Sequence, residues 1–253
     1  MTDRLAVVVP VLNEPGIADT LEALRRQRDC PDLHVYVVDN GSTDGTVQRV
    51  RRFAAAHPTP RITILHEPQK GTGAACDTGF RRAIADGHAL VARTDGDSAP
   101  TEDWAARLRT LFTLHPDVAL VGGTSIPLRD RYYRWGDAQL MPGALWLLRM
   151  MMAVGHLDAA YLRFVVGHNM AVRATAYLEV GGLGRTSIDT SDEDIDFSVR
   201  LSHRLGHRAI LIDPRLRVAT SMRRVRRYGL GLMGLHHLVP ALRGKLIRTI
   251  DVR

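Results

Sequence analysis

Ala89-Leu90-Val91-Ala92-Arg93-Thr94-Asp95-Gly96-Asp97-Ser98 joins a short apolar run to a loop carrying two carboxylates. The run Ala89–Ala92 has strand character, and Ala99-Pro100-Thr101-Glu102-Asp103-Trp104 reads as a helix start with Thr101 as its N-cap. Two acids separated by one glycine thus stand where a buried strand leaves a sheet. Hard divalent cations take oxygen ligands, and glycine lets the backbone turn tightly enough for both acids to face one point. By itself Asp-Gly-Asp is a weak signal, and an acid pair that merely caps the next helix accounts for it more simply. The surrounding chain has to decide between the two.

Upstream, Leu5-Ala6-Val7-Val8-Val9-Pro10-Val11 is a continuous β-branched run of the buried, parallel-sheet kind. Ile17, Leu21 and Leu24 follow at helical spacing. His34–Val38 predicts a second strand, ending in Asp39-Asn40-Gly41-Ser42-Thr43-Asp44, where Thr43 or Asp44 starts a helix. Arg61–Leu65 predicts a third strand, Lys70-Gly71-Thr72-Gly73 opens another helix, and Ala89–Ala92 is the fourth strand. This alternation implies right-handed βαβ units and a doubly wound, mostly parallel α/β sheet. Ligands of such sheets bind beyond the carboxyl ends of the strands, where Asn13, Asp39, Lys70 and Asp97 all fall.

Downstream, Val118–Gly123 predicts a fifth strand, Phe164–Val172 another, and Ala209–Ile212 a last one. The apolar stretch Leu140–Met152, broken by Pro142, Gly143 and Arg149, is short for a membrane span and reads as a buried or lid helix, with an interfacial helix second.

The 253 residues are 45% hydrophobic and 24% charged, ordinary for a globular chain with a sizeable core. Cys30 and Cys76 make neither a disulfide framework nor a zinc spacing. The N-terminal apolar run is too short for a signal peptide, so a cytoplasmic location is expected. Ten Lys or Arg against one acid from Arg215 onward give that segment +9, so the chain's +7 leaves −2 for the rest. A local basic patch suits a polyanion: a diphosphate, a phospholipid surface or nucleic acid.

Ser191-Asp192-Glu193-Asp194-Ile195-Asp196 begins another helix. Ser191 with Asp194 has the form of a capping box, and acids in a first turn favour the helix dipole. Capping needs one or two acids. Asp192, Glu193, Asp194 and Asp196 together exceed that need, and the excess is equally consistent with a chemical use such as proton acceptance.

With these residues in view, the chain resembles the family 2 nucleotide-sugar glycosyltransferases of GT-A fold. Pro10-Val11-Leu12-Asn13-Glu14 resembles the family's opening motif, and Val38–Thr46 its second. Asp95-Gly96-Asp97 is similar to the DXD metal motif, Gly167–Arg173 to the acceptor-side strand, and Glu193-Asp194 through Arg200 to the ED motif. The resemblance runs in order from residue 5 to about 213 and implies a GT-A domain over 1–213. Its nucleotide-sugar half is 1–124, its acceptor half is 125–213, and a basic amphipathic helical tail follows over 214–253. It further implies an inverting transfer from a nucleoside-diphosphate sugar, UDP- or GDP-linked, to an unidentified acceptor. Pro10, Asn13, Glu14, Asp39, Lys70 and Asp95 would line the donor site. Asp97, with Asp95, would hold Mg²⁺ or Mn²⁺. Asp194, within the Glu193-Asp194 catalytic pair, would be the general base. The helix dipole is expected to keep Asp194 ionised.

Two departures stand out. Asp77 occupies a position commonly asparagine in the family, and Val218-Ala219-Thr220-Ser221 stands where many members carry a histidine, so no third protein ligand for the metal is assigned. Arg223, in Thr220-Ser221-Met222-Arg223-Arg224, offers a guanidinium to the diphosphate, with a solvated basic face as the alternative. In the tail, Tyr228, Leu232, Leu235, Val239 and Leu242 form an apolar stripe beside basic residues, which points to peripheral contact with an anionic membrane or to packing on the protein's own core. A nucleotidyltransferase is a second enzyme class, but it calls for a glycine-rich basic loop where this chain has Leu12-Asn13-Glu14-Pro15. A nucleic-acid-binding module is a third class. Tyr228 as the tail's one aromatic is too little for base stacking, so no nucleic-acid partner is expected.

Overall fold

A computed structural model of the chain describes residues 4–156, 158–185, 192–223 and 225–227. Among these residues eight strands form one sheet in the order β3-β2-β1-β4-β7-β6-β8-β5, numbered along the chain. The first half is parallel: β1 (Leu5–Val11) lies between β2 (His34–Asp39) and β4 (Leu90–Arg93), with β3 (Arg61–His66) outside β2. β7 (Met170–Arg173) then pairs antiparallel with both β4 and β6 (Leu120–Pro127). β8 (Ile210–Thr220) runs parallel to β6, and β5 (Ser98–Pro100) closes the edge against it. This is the mostly parallel α/β sheet implied by the sequence.

Alternation along β1 builds two layers. Leu5, Val7, Val9 and Val11 face a core shared with α1 (Ile17–Arg25), α2 (Thr46–Ala56) and α4 (Trp104–Leu114). Ala6 and Val8 face a second core with α3 (Thr72–Ala85), α6 (Ala174–Glu179) and α7 (Glu193–Leu205). Pro10 lies in this central strand without breaking it, because β4 pairs with β1 only as far as Val8 and asks for no donor beyond. Gly79 lets α3 settle on the sheet: a Cβ there would come within 2.5 Å of Val8 and 2.9 Å of Val38. A third, smaller cluster of Met152, Ala160, Phe164, Ile195 and Val199 joins α5 (Asp137–His156) to α7.

Several expected boundaries move. Ser98–Pro100 is strand, not helix approach, because its backbone pairs with Val218–Thr220. The α4 N-cap is accordingly Asp103, while the Thr101 hydroxyl bonds its carboxylate. Only Met170–Val172 of the expected Phe164–Val172 strand pairs, in a strand that runs on to Arg173, and Gly167–Asn169 is a 3-10 turn. The last strand continues to Thr220, since β6 offers it a parallel partner up to Pro127, so residue 213 lies inside β8 and the sheet crosses the expected domain boundary. Ser191 and the tail stripe from Tyr228 lie outside the described residues.

Candidate active site

The parallel half of the sheet delivers the site. Beyond β1, Asn13 sits at φ 50°, and its side-chain carbonyl accepts the Thr43 N–H at 2.7 Å while its own N–H donates to Ser42 Oγ. Asn13 thereby stitches the first loop to the second. Asp39, buried at the end of β2, accepts the Ser42 N–H at 3.0 Å and lies 3.4 Å from His66. The Asp95-Gly96-Asp97 loop is pinned from three sides. Thr20 Oγ1 donates to the Gly96 carbonyl at 2.8 Å, Ser98 N–H to that of Asp95, and Ser221 N–H to that of Asp97.

Two arginines then tie the acids together. Arg223 donates through Nη2 to Glu14 at 2.8 Å and to Asp97 at 3.2 Å, joining the first loop, the acidic loop and the chain after β8. Arg93, the last residue of β4, donates through Nε to Asp95 at 3.0 Å and through Nη1 to Glu193 at 2.9 Å. A cleft of about 600 Å³ opens beside the first pair, lined by Glu14, Asp19, Asp97, Arg131, Tyr132 and Arg223 among others.

At the start of α7 the four acids separate. Asp192 is the N-cap residue, although its side chain makes no cap hydrogen bond. Glu193 is buried on Arg93. Asp196 is exposed and receives Arg200 Nε at 2.8 Å, a helical i, i+4 pair. Asp194 is half-buried, accepting the Gly167 N–H on Oδ2 at 2.7 Å and the Ile195 N–H on Oδ1 at 2.9 Å. Among the described residues each oxygen accepts one N–H, which leaves lone pairs for an incoming hydroxyl.

The expectation that the dipole holds Asp194 low is corrected. Asp194 keeps a partial opening to solvent, but protein crowds its other sides. Burial, then the neighbouring Glu193 charge, raise its pKa from 3.8 to about 6, against the lowering effects of Arg93 and the Gly167 hydrogen bond. A carboxylate poised near neutrality is a better proton acceptor than a dipole-stabilised one.

Other expected residues fall into place differently. Lys70 is exposed at the approach to α3 and bonds to none of the described residues. Asp77 is buried in a structural network, accepting from Tyr177 Oη at 2.8 Å, Arg81 Nε at 2.9 Å and Arg185 Nη1 at 3.2 Å. The acid at this departure is thus balanced by two arginines. Asn169 ties α4 to the sheet, accepting from Trp104 Nε1 and donating to the carbonyls of Thr124 and Leu216. Arg93 and Thr20 carry no assignment from sequence. An arginine ending an otherwise apolar strand was the available signal for the first, and nothing local marks the second.

Among the described residues, no group of three or more His, Cys, Asp or Glu is placed to hold a metal ion by itself. The acidic loop instead offers one or two hard carboxylates, already drawing a guanidinium, at the mouth of a cleft. That donor set fits Mg²⁺ or Mn²⁺ completing its shell with diphosphate oxygens.

A doubly wound, mostly parallel sheet with acids at its strand ends has the α/β architecture in which ligands bind beyond the carboxyl ends of the strands. The sequence profile of Glycosyl transferase family 2 matches residues 6–181, and the chain belongs to that family. It is 30% identical over 159 residues to a polyprenol monophosphomannose synthase of Mycolicibacterium smegmatis, covering 62% of this chain and 59% of that protein. It is 32% identical over 126 residues to glycosyltransferase AglE of Haloferax volcanii, covering 49% and 37%. The chain thus spans well under two thirds of these relatives. Among solved structures it resembles the mannosyltransferase PcManGT of Pyrobaculum calidifontis, in complex with GDP-Man and Mn²⁺. The TM-score is 0.67 at 22% identity, over 98% of this chain and 74% of that one. Glucosyl-3-phosphoglycerate synthase of Mycobacterium tuberculosis, in complex with Mn²⁺, UDP and glucosyl-3-phosphoglycerate, superposes at TM-score 0.66 and 19% identity, over 96% and 80%. The fold is therefore the GT-A type.

Proposed function

We propose that this protein is an inverting, metal-assisted glycosyltransferase that moves a sugar from a UDP- or GDP-sugar to an acceptor hydroxyl or other nucleophile. The observation that carries the reading is the bridge Asp95–Arg93–Glu193, which joins the acidic loop to the first turn of α7 beside Asp194. In this reading Glu14 and Asp39 receive the nucleoside, with Pro10 and Asn13 shaping the loop against it. Asp97 and Asp95 would hold Mg²⁺ or Mn²⁺, which would supply positive charge to the diphosphate as it leaves. Lys70 adds its ammonium to the same phosphates, and Arg223 turns to them from Asp97. Asp194 takes the acceptor proton as the acceptor oxygen bonds the anomeric carbon. The glycosidic C–O bond breaks from the opposite face, and its electron pair leaves with the nucleoside diphosphate. The test is a panel of nucleotide sugars with Mn²⁺, followed by release of the nucleoside diphosphate. Turnover of one donor, lost in EDTA, is expected; no turnover of any donor, or full turnover in EDTA, counts against the reading.

The reading extends to a lipid surface. Trp146, Leu147, Met150, Met151 and Val154 are exposed on one face of α5, while Leu145, Leu148 and Met152 pack inward on the opposite one. Arg149 turns inward over the Phe164 ring, and the outward face bears no acid. Trp135 is 93% exposed beside the basic approach of Arg129, Arg131 and Arg134, a pattern suited to an anionic bilayer surface. No helix among the described residues is long and apolar enough to cross a membrane. Co-sedimentation with phosphatidylglycerol vesicles, weakened by salt and by Met150→Glu, is expected. Equal binding to neutral vesicles would count against an electrostatic attachment.

A further inference from the structure

We infer that Arg93 is a positioning residue that holds the general base in register with the donor site. This rests on the glycosyltransferase reading. Arg93 is 4% exposed at the end of β4, where an arginine is costly to bury unless every charge is matched. It is matched in two directions: Nε bonds Asp95 in the acidic loop, and Nη1 bonds Glu193, one residue before the base. The two carboxylates are 98 residues apart in sequence, and this guanidinium joins them directly.

The surrounding backbone is shaped around that guanidinium. Gly167 faces it so closely that a Cβ there would lie 2.5 Å from Nη1 and 2.7 Å from Cζ. The same Gly167 donates its N–H to Asp194 Oδ2. Arg93 therefore fixes Asp194 by two routes, through Glu193 along α7 and through the Gly167 turn packed on its plane. A planar fork with donors in fixed directions can serve both carboxylates at once, whereas a lysine ammonium on a flexible stem cannot hold that geometry. Burial alone would lower the Arg93 pKa, but the carboxylates of Asp95, Glu193 and Asp194 outweigh it and keep the cation charged.

The test uses the full chain, a donor shown active with the wild type, and the variants Arg93→Met and Arg93→Lys. Arg93→Lys is expected to remain folded, to bind Mn²⁺ with GDP or UDP within about threefold of wild type by calorimetry, and to keep its donor KM. Its kcat should fall by roughly 10²-fold, the scale of a base misplaced by about 1 Å. Arg93→Met should lose at least as much. A lysine that restores kcat to within threefold would reduce Arg93 to buried charge balance and overturn the inference. So would a loss confined to KM. Should Arg93→Met fail to fold, the lysine variant decides alone. A wild type silent toward every donor would overturn the glycosyltransferase reading, and this inference with it, whereas an active wild type with an unimpaired lysine variant overturns the inference alone.

Discussion

The two arginine bridges at the mouth of the sheet use the same chemistry in opposite settings. Arg93 and its partner Glu193 are 5% and 11% exposed in their side chains, and the bridge is built into a strand end and a helix start. Arg223 and its partner Asp97 are 28% and 19% exposed, and the bridge hangs from the segment that follows β8. The first ties two elements of the core and has nowhere to go. The second closes an acidic pocket that a divalent cation is proposed to enter, so it has to open when the cation arrives. Burial thus separates a strut from a removable cover.

The largest effect expected is at the base that the strut holds. Asp194→Asn keeps shape and removes basicity, and should lower turnover by roughly 10²–10⁴ while Mn²⁺ and nucleotide binding stay nearly intact. If Asp192→Asn or Glu193→Gln abolishes transfer and Asp194→Asn does not, the wrong acid has been chosen. Stability should divide the two arginines. Arg93→Met, which takes the cation from the buried Glu193 and from the part-exposed Asp95, is expected to cost about 3–5 kcal/mol in urea unfolding. Arg223→Gln should stay within about 1 kcal/mol of wild type, as an accessible ion pair does. Equal losses would erase the distinction between strut and cover.

Asp194 also predicts a pH dependence whose sign follows from the direction of its shift. Its folded pKa, near 6, lies above the ordinary carboxylate value, so the protonated form is the one that folding favours. The resulting stabilisation is complete below about pH 4 and is lost as pH rises through 6. Activity runs the other way: kcat/KM should be level above about pH 7 and fall about tenfold per unit below about pH 6. Asp194→Asn should abolish that acid limb and, at pH 8, unfold at higher temperature than wild type. A limb centred near pH 4 would show that the dipole outweighs burial after all.

Smaller effects sharpen the cover. If Arg223 competes with the metal for Asp97, Arg223→Gln should bind Mn²⁺ without nucleotide up to about fivefold more tightly, the equivalent of roughly 1 kcal/mol. Paramagnetic titration reads this directly, and weaker binding would make Arg223 an ally of the metal site. Least of all should Asp196→Ala matter. Its pair with Arg200 is half-exposed, worth about 0.3–0.5 kcal/mol to α7, and kcat should not change.

The order of strands and helices through β4, the two faces of β1 and the acids at strand ends were all legible in the chain. Residues that decide them sit within a turn or two of one another, and local spacing already says which face is buried. The pairing of Asp196 with Arg200 was readable for the same reason. The strut from β4 to α7, the cover from Arg223 to Glu14 and the extension of β8 to Thr220 were decided by tertiary structure, since each depends on partners far away in sequence. The Asp194 environment shows the limit most clearly. From the sequence its setting is a helix N-terminus, which stabilises a carboxylate. In the fold, protein closes around it and Glu193 stands beside it, and desolvation with like-charge repulsion reverses the sign of the shift. The order of acids along a chain determines which helix they begin, but the energy of each charge depends on how much water the rest of the molecule leaves beside it.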